Sequence, residues 1–352
     1  MLEELRKYKS EILDYLKDFM SHKGESLRGV NRWGKDLLER IENFASQGKM
    51  IRGGLVFLSY HLFEKKENPH LRAVGSALEL VQSALLVHDD IMDQDKTRRG
   101  KKSIYYQYEE TGGEMGLRKA ARFGESMGIC AGDVAFFLAF EILSGLEIQP
   151  DIRQRLLQVF SRELSFVGIA QMEDVYLGDC SGEVKEETIL SLYRYKTARY
   201  TFSLPFLMGS TLAQAPADEI EKLEKIGEIT GILFQLRDDE LDIFGDEKEI
   251  GKPVGSDIKE GKKTLYYHYL YELSGKEEKE VLDRTLGNPD IKQENLAQIK
   301  KMILHKGIDG LIREKIKELK NEGLHEIAMM NLGTEQKQIL EQILKYSVER
   351  NR

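Results

Sequence analysis

Two short stretches of this chain concentrate the side chains best suited to chemistry. The first is LLVHDDIMDQDKTRRG, with Asp89, Asp90, Asp93, Asp95, Arg98 and Arg99; the second is FQLRDDELDIFGD, with Gln235, Asp238, Asp239, Asp242 and Asp246. Each holds an Asp-Asp-x-x-Asp run at the end of an apolar segment. On a helix, positions i and i+4 lie about 40° apart, so Asp89 shares a face with Asp93, and Asp238 with Asp242. Three clustered carboxylates repel one another unless a hard cation sits between them. Magnesium held by few carboxylates keeps positions open for phosphate oxygens, so two such faces could clamp one diphosphate. One acidic helix end alone reads equally well as solvated charge. Two copies, each following an apolar stretch that should be buried, make that reading costly.

Other metal chemistries fit less well. An EF-hand loop starting at Asp93 would need glycine where Arg98 stands, and a glutamate at its twelfth position. A di-iron bundle needs paired helical Glu-x-x-His motifs. The two matches, Glu67 to His70 and Glu322 to His325, lie outside the acidic runs, and the first contains Pro69. Basic residues accompany the acids. Arg98 and Arg99 follow the first run, Lys252 and Lys262 follow the second, and Lys49 and Arg52 open an earlier helix. Singly, each reads as a surface charge.

Long helices must position these groups. The chain has 352 residues, only six of them proline, with 41% apolar and 32% charged residues. Scarce proline favours uninterrupted helices. Helical stripes are read over residues 37–44, 53–63, 71–92, 129–143, 152–177, 187–200, 203–212, 218–244 and 264–273, with Lys/Glu-rich surface helices beyond. Breaks are expected at Gly178 to Gly182, at Gly245 to Gly261, and at Gly112-Gly113 within a mobile stretch from Ser103 to Met115. No linker divides the chain, so one all-α domain spanning 1–352, a helical bundle around a central apolar cavity, is expected. A net charge of −8 argues against nucleic acid as partner. Two cysteines, Cys130 and Cys180, suit a reducing compartment, and no secretion signal opens the sequence. The longest apolar run, Val134 to Phe140, falls short of the roughly 20 residues of a membrane span. A cytoplasmic location is expected.

The chain resembles the trans-isoprenyl diphosphate synthases, also called polyprenyl synthetases. The resemblance runs in order through GKMIRG from Gly48, ALELVQSALLVHDDIMDQDKTRRG, CAGD from Cys130, YKTA from Tyr195, FQLRDDELD from Phe234 and GKPVGSDIKEGKKTL from Gly251. It implies a magnesium-dependent, head-to-tail condensation of isopentenyl diphosphate with an allylic diphosphate (dimethylallyl, geranyl or farnesyl). Asp89, Asp90, Asp93, Asp238, Asp239 and Asp242 match the acids that bind three magnesium ions. Arg98, Lys196, Lys252 and Lys262 match groups on the allylic diphosphate. Lys49, Arg52 and Arg99 match the isopentenyl diphosphate site, and Thr197 and Gln235 match polar groups beside the reacting carbon. Three positions depart from the pattern. Gln82 stands where many members have a histidine ligand, Gly53 replaces a proline after Arg52, and Tyr266 replaces a proline after the GKxTL motif. The first motif has the form seen in archaeal members.

The implied mechanism ionises the allylic carbon–oxygen bond inside a water-excluding core, with the released diphosphate as proton acceptor and no histidine as base. His88 is read as structural. Rival readings are a terpene cyclase, whose second metal motif differs from DDELD, and a non-catalytic helical subunit or scaffold. The helix through VAFFLAFEIL is apolar all round, and with the resemblance it implies a homodimer. Val81, Ala84 and Leu85 lie on the turns before Asp89. In the family, aromatics at the positions of Ala84 and Leu85 close the cavity at farnesyl length. Their absence here favours a geranylgeranyl product over farnesyl.

Overall fold

A computed structural model describes residues 2–245, 254–288 and 290–350. It is all-α apart from one two-residue hairpin, and it separates into two compact units. The first comprises residues 1–159 and 208–215, the second residues 160–207 and 216–352.

In the first unit, α1 (Leu2–Arg28), α2 (Trp33–Ser46), α3 (Ile51–His61), α4 (Leu71–Met92), α5 (Ile104–Glu114) and α6 (Ala120–Ser144) pack together. α4 is its core helix; Val74, Ala77, Leu78, Leu80, Val81 and Ala84 are fully buried. Glycines let α6 come close. A Cβ on Gly124 would stand 2.5 Å from Tyr105 O, and one on Gly132 would collide with the His88 ring. Gly112-Gly113 does not break the chain, contrary to expectation. It lies inside α5, where a Cβ on Gly112 would stand 2.8 Å from Phe123 Cδ1, so this glycine serves close packing against α6. By length and composition α6 could cross a membrane. Here its small residues pack within the unit, and its Glu141 pairs with Lys23.

The hairpin β1–β2 (Thr97–Arg98 with Lys101–Lys102) was not expected from sequence. Its turn residues, Arg99 and Gly100, have φ of 54° and 75°. Two positive φ values match the twist that tight hairpins require, and arginine rarely advertises such a position.

The second unit contains most of α7 (Pro150–Asp179), α8 (Glu186–Leu192), a π-helical segment from Tyr193 to Ser203, and α10 (Ala217–Phe244). The short α9 (Leu204–Leu212) leads from the π segment into the residues assigned to the first unit. Beyond α10 come α11 (Ser256–Glu260), α12 (Leu265–Glu272), α13 (Lys276–Thr285), α14 (Gln293–His305), α15 (Ile308–Met329) and α16 (Thr334–Glu349). π turns are rare and concentrate at functional positions; this one carries the YKTA motif. Gly227 and Gly231 sit one turn apart on α10 and let its backbone meet the π segment. A Cβ on Gly231 would collide with Ala198 Cα, and one on Gly227 would stand 2.7 Å from Ser203 Cα. The same segment is fastened by Arg199, which is buried and bonded to Glu163, Glu224 and Glu228. Three carboxylates on one guanidinium hold the π turn in place; removing the guanidinium would leave the buried Glu163 without its cation.

Candidate active site

The first acidic run ends α4. Asp89 is half-buried, Asp93 is exposed, and Asp90 is fully buried. Arg98 reaches back from the hairpin, its Nε bonded to Asp90 Oδ1 and its Nη2 3.2 Å from Asp95 Oδ2. Asp90 Oδ2 is buried and has no hydrogen-bond partner among the described residues. Burial pushes the Asp90 carboxyl up to about 7, against the opposing pull of Arg98. One turn back from Asp89 along α4, Ala84 is buried and Leu85 half-buried, and a second turn back Val81 is buried. Gln82 is half-buried on the same helix. His88 lies against Gly132, its Nε2 3.2 Å from Ile129 O, and so ties α4 to α6.

The second run ends α10 and is braced from several segments. Thr197 Oγ1 donates to Gln235 Oε1 at 2.8 Å, and Gln235 Nε2 donates to Asp239 Oδ1 at 2.8 Å. Tyr193 OH donates to Asp239 Oδ2 and accepts the Leu265 amide at 3.0 Å. A continuous polar chain thus joins the π segment, α10 and α12. Burial, with the charge of Asp257, pushes Asp239 well up; the bonds from Tyr193 and Gln235 oppose it. Asp242 accepts Ser256 Oγ at 2.6 Å and the Asp257 amide at 3.1 Å. Its two oxygens therefore anchor the start of α11. Asp238 is the more open acid, paired with Arg350 Nη2 at 2.6 Å. Lys196 pairs with Asp174 of α7. Lys262 pairs with Glu260 and lines a cavity of about 20 Å³ with Asp239, Asp257 and Tyr266. Tyr266, one of the three departures, is buried and packs edge-on against Phe244. Lys252 and Asp246 lie outside the described residues.

Within the first unit, Lys49 is exposed and Arg52 half-buried at the start of α3, and Arg99 occupies the hairpin turn. Sequence reasoning missed Tyr193, Asp174 and Arg350. Tyr193 stands three residues before Lys196, and only the wider π turn directs its hydroxyl to Asp239. Asp174 and Arg350 reach their partners across 22 and 112 residues, a distance no local pattern reports. Among the described residues, no three His, Cys, Asp or Glu side chains enclose a metal by themselves. A cation here would need oxygen ligands from elsewhere, as a diphosphate supplies.

Acid-tipped helices, each with polar or basic side chains beside it, mark the candidate site of an all-α protein. The chain belongs to the polyprenyl synthetase family, whose model matches residues 35–303. It is 32% identical to the geranylgeranyl diphosphate synthase of Sulfolobus acidocaldarius over 310 residues, 87% of each chain. It is 31% identical to the farnesyl diphosphate synthase of Geobacillus stearothermophilus, covering 79% of this chain and 90% of that one. Among solved structures, it superimposes on a geranylgeranyl pyrophosphate synthase of Corynebacterium glutamicum, solved with isoprenyl diphosphate and magnesium. That match has a TM-score of 0.91 at 27% identity over 99% of both chains.

Proposed function

We propose that this chain is a trans-prenyltransferase that condenses isopentenyl diphosphate with an allylic diphosphate, head to tail, to a short-chain product. Geranylgeranyl diphosphate is favoured over farnesyl. The observation that carries the reading is Asp90, a buried carboxylate with one oxygen unpartnered among the described residues, at the tip of an apolar helix. Such a group is expensive unless a cation completes it. Magnesium fits this donor set, and three ions are expected on Asp89, Asp90, Asp93, Asp238, Asp239 and Asp242. When bound it neutralises charge on the departing diphosphate.

The chain's own groups do the rest. Arg98, Lys196, Lys252 and Lys262 bind the allylic diphosphate and offset the charge its oxygens gain as the carbon–oxygen bond breaks. Thr197 and Gln235, fixed by their mutual bond, turn their dipoles toward the allylic carbon. Lys49, Arg52, Gln82 and Arg99 hold isopentenyl diphosphate so that its double bond attacks that carbon. Apolar walls exclude water, and the released diphosphate removes the proton. In this reading the whole chain works as one domain in the cytoplasm and pairs as a homodimer. Exposed apolar side chains on α6 (Ile129, Phe137) and on α7 (Ile169, Met172, Tyr176) support the pairing.

The test is a magnesium-dependent assay with isopentenyl diphosphate and each allylic primer, with product length analysed. An elongated prenyl diphosphate is expected. Products formed from the allylic substrate alone would indicate a cyclase, and no turnover with any primer would reject the reaction.

A further inference from the structure

A buried carboxylate beside the start of α3 has no task in the reaction as described. Glu79, on α4, is 4% exposed. Its Oε1 accepts the Gly53 amide at 2.8 Å, and the Arg52 amide also donates to it. Both amides belong to the first turn of α3, where backbone N–H groups lack partners within the helix. The residue before that turn cannot cap it. Met50 has φ 55° and makes no side-chain cap bond. α3 is therefore capped from a neighbouring helix. Proline at position 53 would have no N–H to give. Glycine supplies one and lets the helices close: a Cβ there would stand 2.5 Å from Ile12 Cδ1 and 3.1 Å from Gly75 O.

The same carboxyl group feels the charge of two guanidinium groups. Arg52 and Arg99 are its charged neighbours, and both pull against the burial that pushes its carboxyl up. Arg99 comes from the hairpin turn and lies beside Gly48, its Nη1 3.4 Å from the place of a Cβ there, next to Lys49. Gln82 follows Glu79 by three residues, on the same face of α4. Thus Arg52 and Arg99, two of the residues assigned to isopentenyl diphosphate, act on one buried carboxyl group within a single unit. Cations gathered for a diphosphate repel one another before it arrives. An anion behind them lowers that repulsion and fixes where the guanidinium groups point.

We propose that Glu79 is the positioning residue of the isopentenyl diphosphate site: it caps α3 and draws Arg52 and Arg99 into one cluster, without itself touching substrate. The proposal rests on the prenyl-transfer reading for the identity of the ligand, and on the first unit alone for its geometry.

In the full chain, Glu79→Gln should raise KM for isopentenyl diphosphate about tenfold. KM for the allylic diphosphate and the melting temperature should stay close to wild type. Unchanged KM for both substrates overturns the proposal. So does a parallel rise of both KM values with a lowered melting temperature, which marks a merely structural role. Should Gln at 79 abolish cooperative melting, Glu79→Asp takes its place. It withdraws the carboxylate by about 1.5 Å and breaks the Gly53 contact. The same selective rise in KM, smaller in size, is expected, and its absence is decisive against the idea. Should wild-type protein show no prenyl transfer, the reaction reading fails separately. Calorimetric titration of inorganic diphosphate into magnesium-free protein then decides. Wild type is expected to bind about tenfold more tightly than Glu79→Gln; equal affinities, or no binding by wild type, overturn the assignment.

Discussion

The two acidic runs share a spacing, yet the structure supports them differently. At the end of α4, a single basic residue, Arg98, bonds the buried Asp90, and one Asp90 oxygen has no partner among the described residues. At the end of α10, Asp239 and Asp242 are satisfied by neutral donors, namely Tyr193, Gln235, Ser256 and the Asp257 amide. The turns that precede them differ too. At the same offsets α4 offers Ala84 and Leu85, small or aliphatic, whereas α10 offers Leu233 and Phe234. The same three-acid pattern can therefore be an under-satisfied charge site in one unit and a brace point in the other. Cation demand is concentrated where neutral donors are fewest.

The largest expected effect tests what the runs have in common. Asp89→Ala or Asp238→Ala should each lower turnover about 100-fold or more, since each loses a ligand whose value peaks in the transition state. Melting of Asp89→Ala should stay close to wild type, because removing like charge is mildly favourable without metal; Asp238→Ala also strips the buried Arg350 of its carboxylate and should melt lower. Near-normal turnover of either variant at saturating magnesium would break the equivalence of the two runs. Next comes the difference in the preceding turns. Ala84 is fully buried, and Ala84→Phe should shift the product toward fewer isoprene units by filling space, at a stability cost of about 1–3 kcal/mol. A wild type that stops at farnesyl, with the variant making the same distribution, would show that α4 does not set the length.

Smaller effects separate bracing from ligation. Asp242→Ala strips two donors of a shared acceptor at the start of α11, which should cost about 2 kcal/mol and lower the melting temperature by several degrees. Asp89→Ala should not. Equal melting of these two variants would remove the brace from the second run. The smallest effect is in pH. Burial raises Asp90 from 3.8 to about 7. Between those values the folded metal-free chain keeps a proton that the unfolded chain gives up. Its contribution to stability is full below about 3.8 and is lost as pH rises through about 7. Magnesium competes with that proton, so its thermal shift should grow from pH 5.5 to pH 8. A shift independent of pH in wild type, matching that of Asp90→Asn, would exclude Asp90 from the cation site.

Much of this was legible in residue order. Periodicity located α4, α7 and α10, and the two acidic motifs lay intact at the ends of α4 and α10, because helix pattern and short motifs are local properties. Where the reading failed, the cause was contact between separate segments or a backbone state that the residue type does not advertise. Gly112 looked like a break because a glycine alone does not reveal the Phe123 ring that needs its space. The Arg99-Gly100 turn was missed because its backbone suits glycine or asparagine better than arginine. The π segment was read as plain helix, since its wider turn comes from packing on Gly227 and Gly231 and from the buried Arg199 cluster.

The sequence by itself determined the all-α class, the family, and the two acidic runs with their basic companions. Those follow from residue types at fixed short spacings. Only the tertiary structure decided which acids are braced and which are left under-satisfied, and that α3 is capped by Glu79 of another helix. Burial and hydrogen-bond partners belong to pairs of segments, and desolvation acts on a carboxylate only once the fold has closed around it.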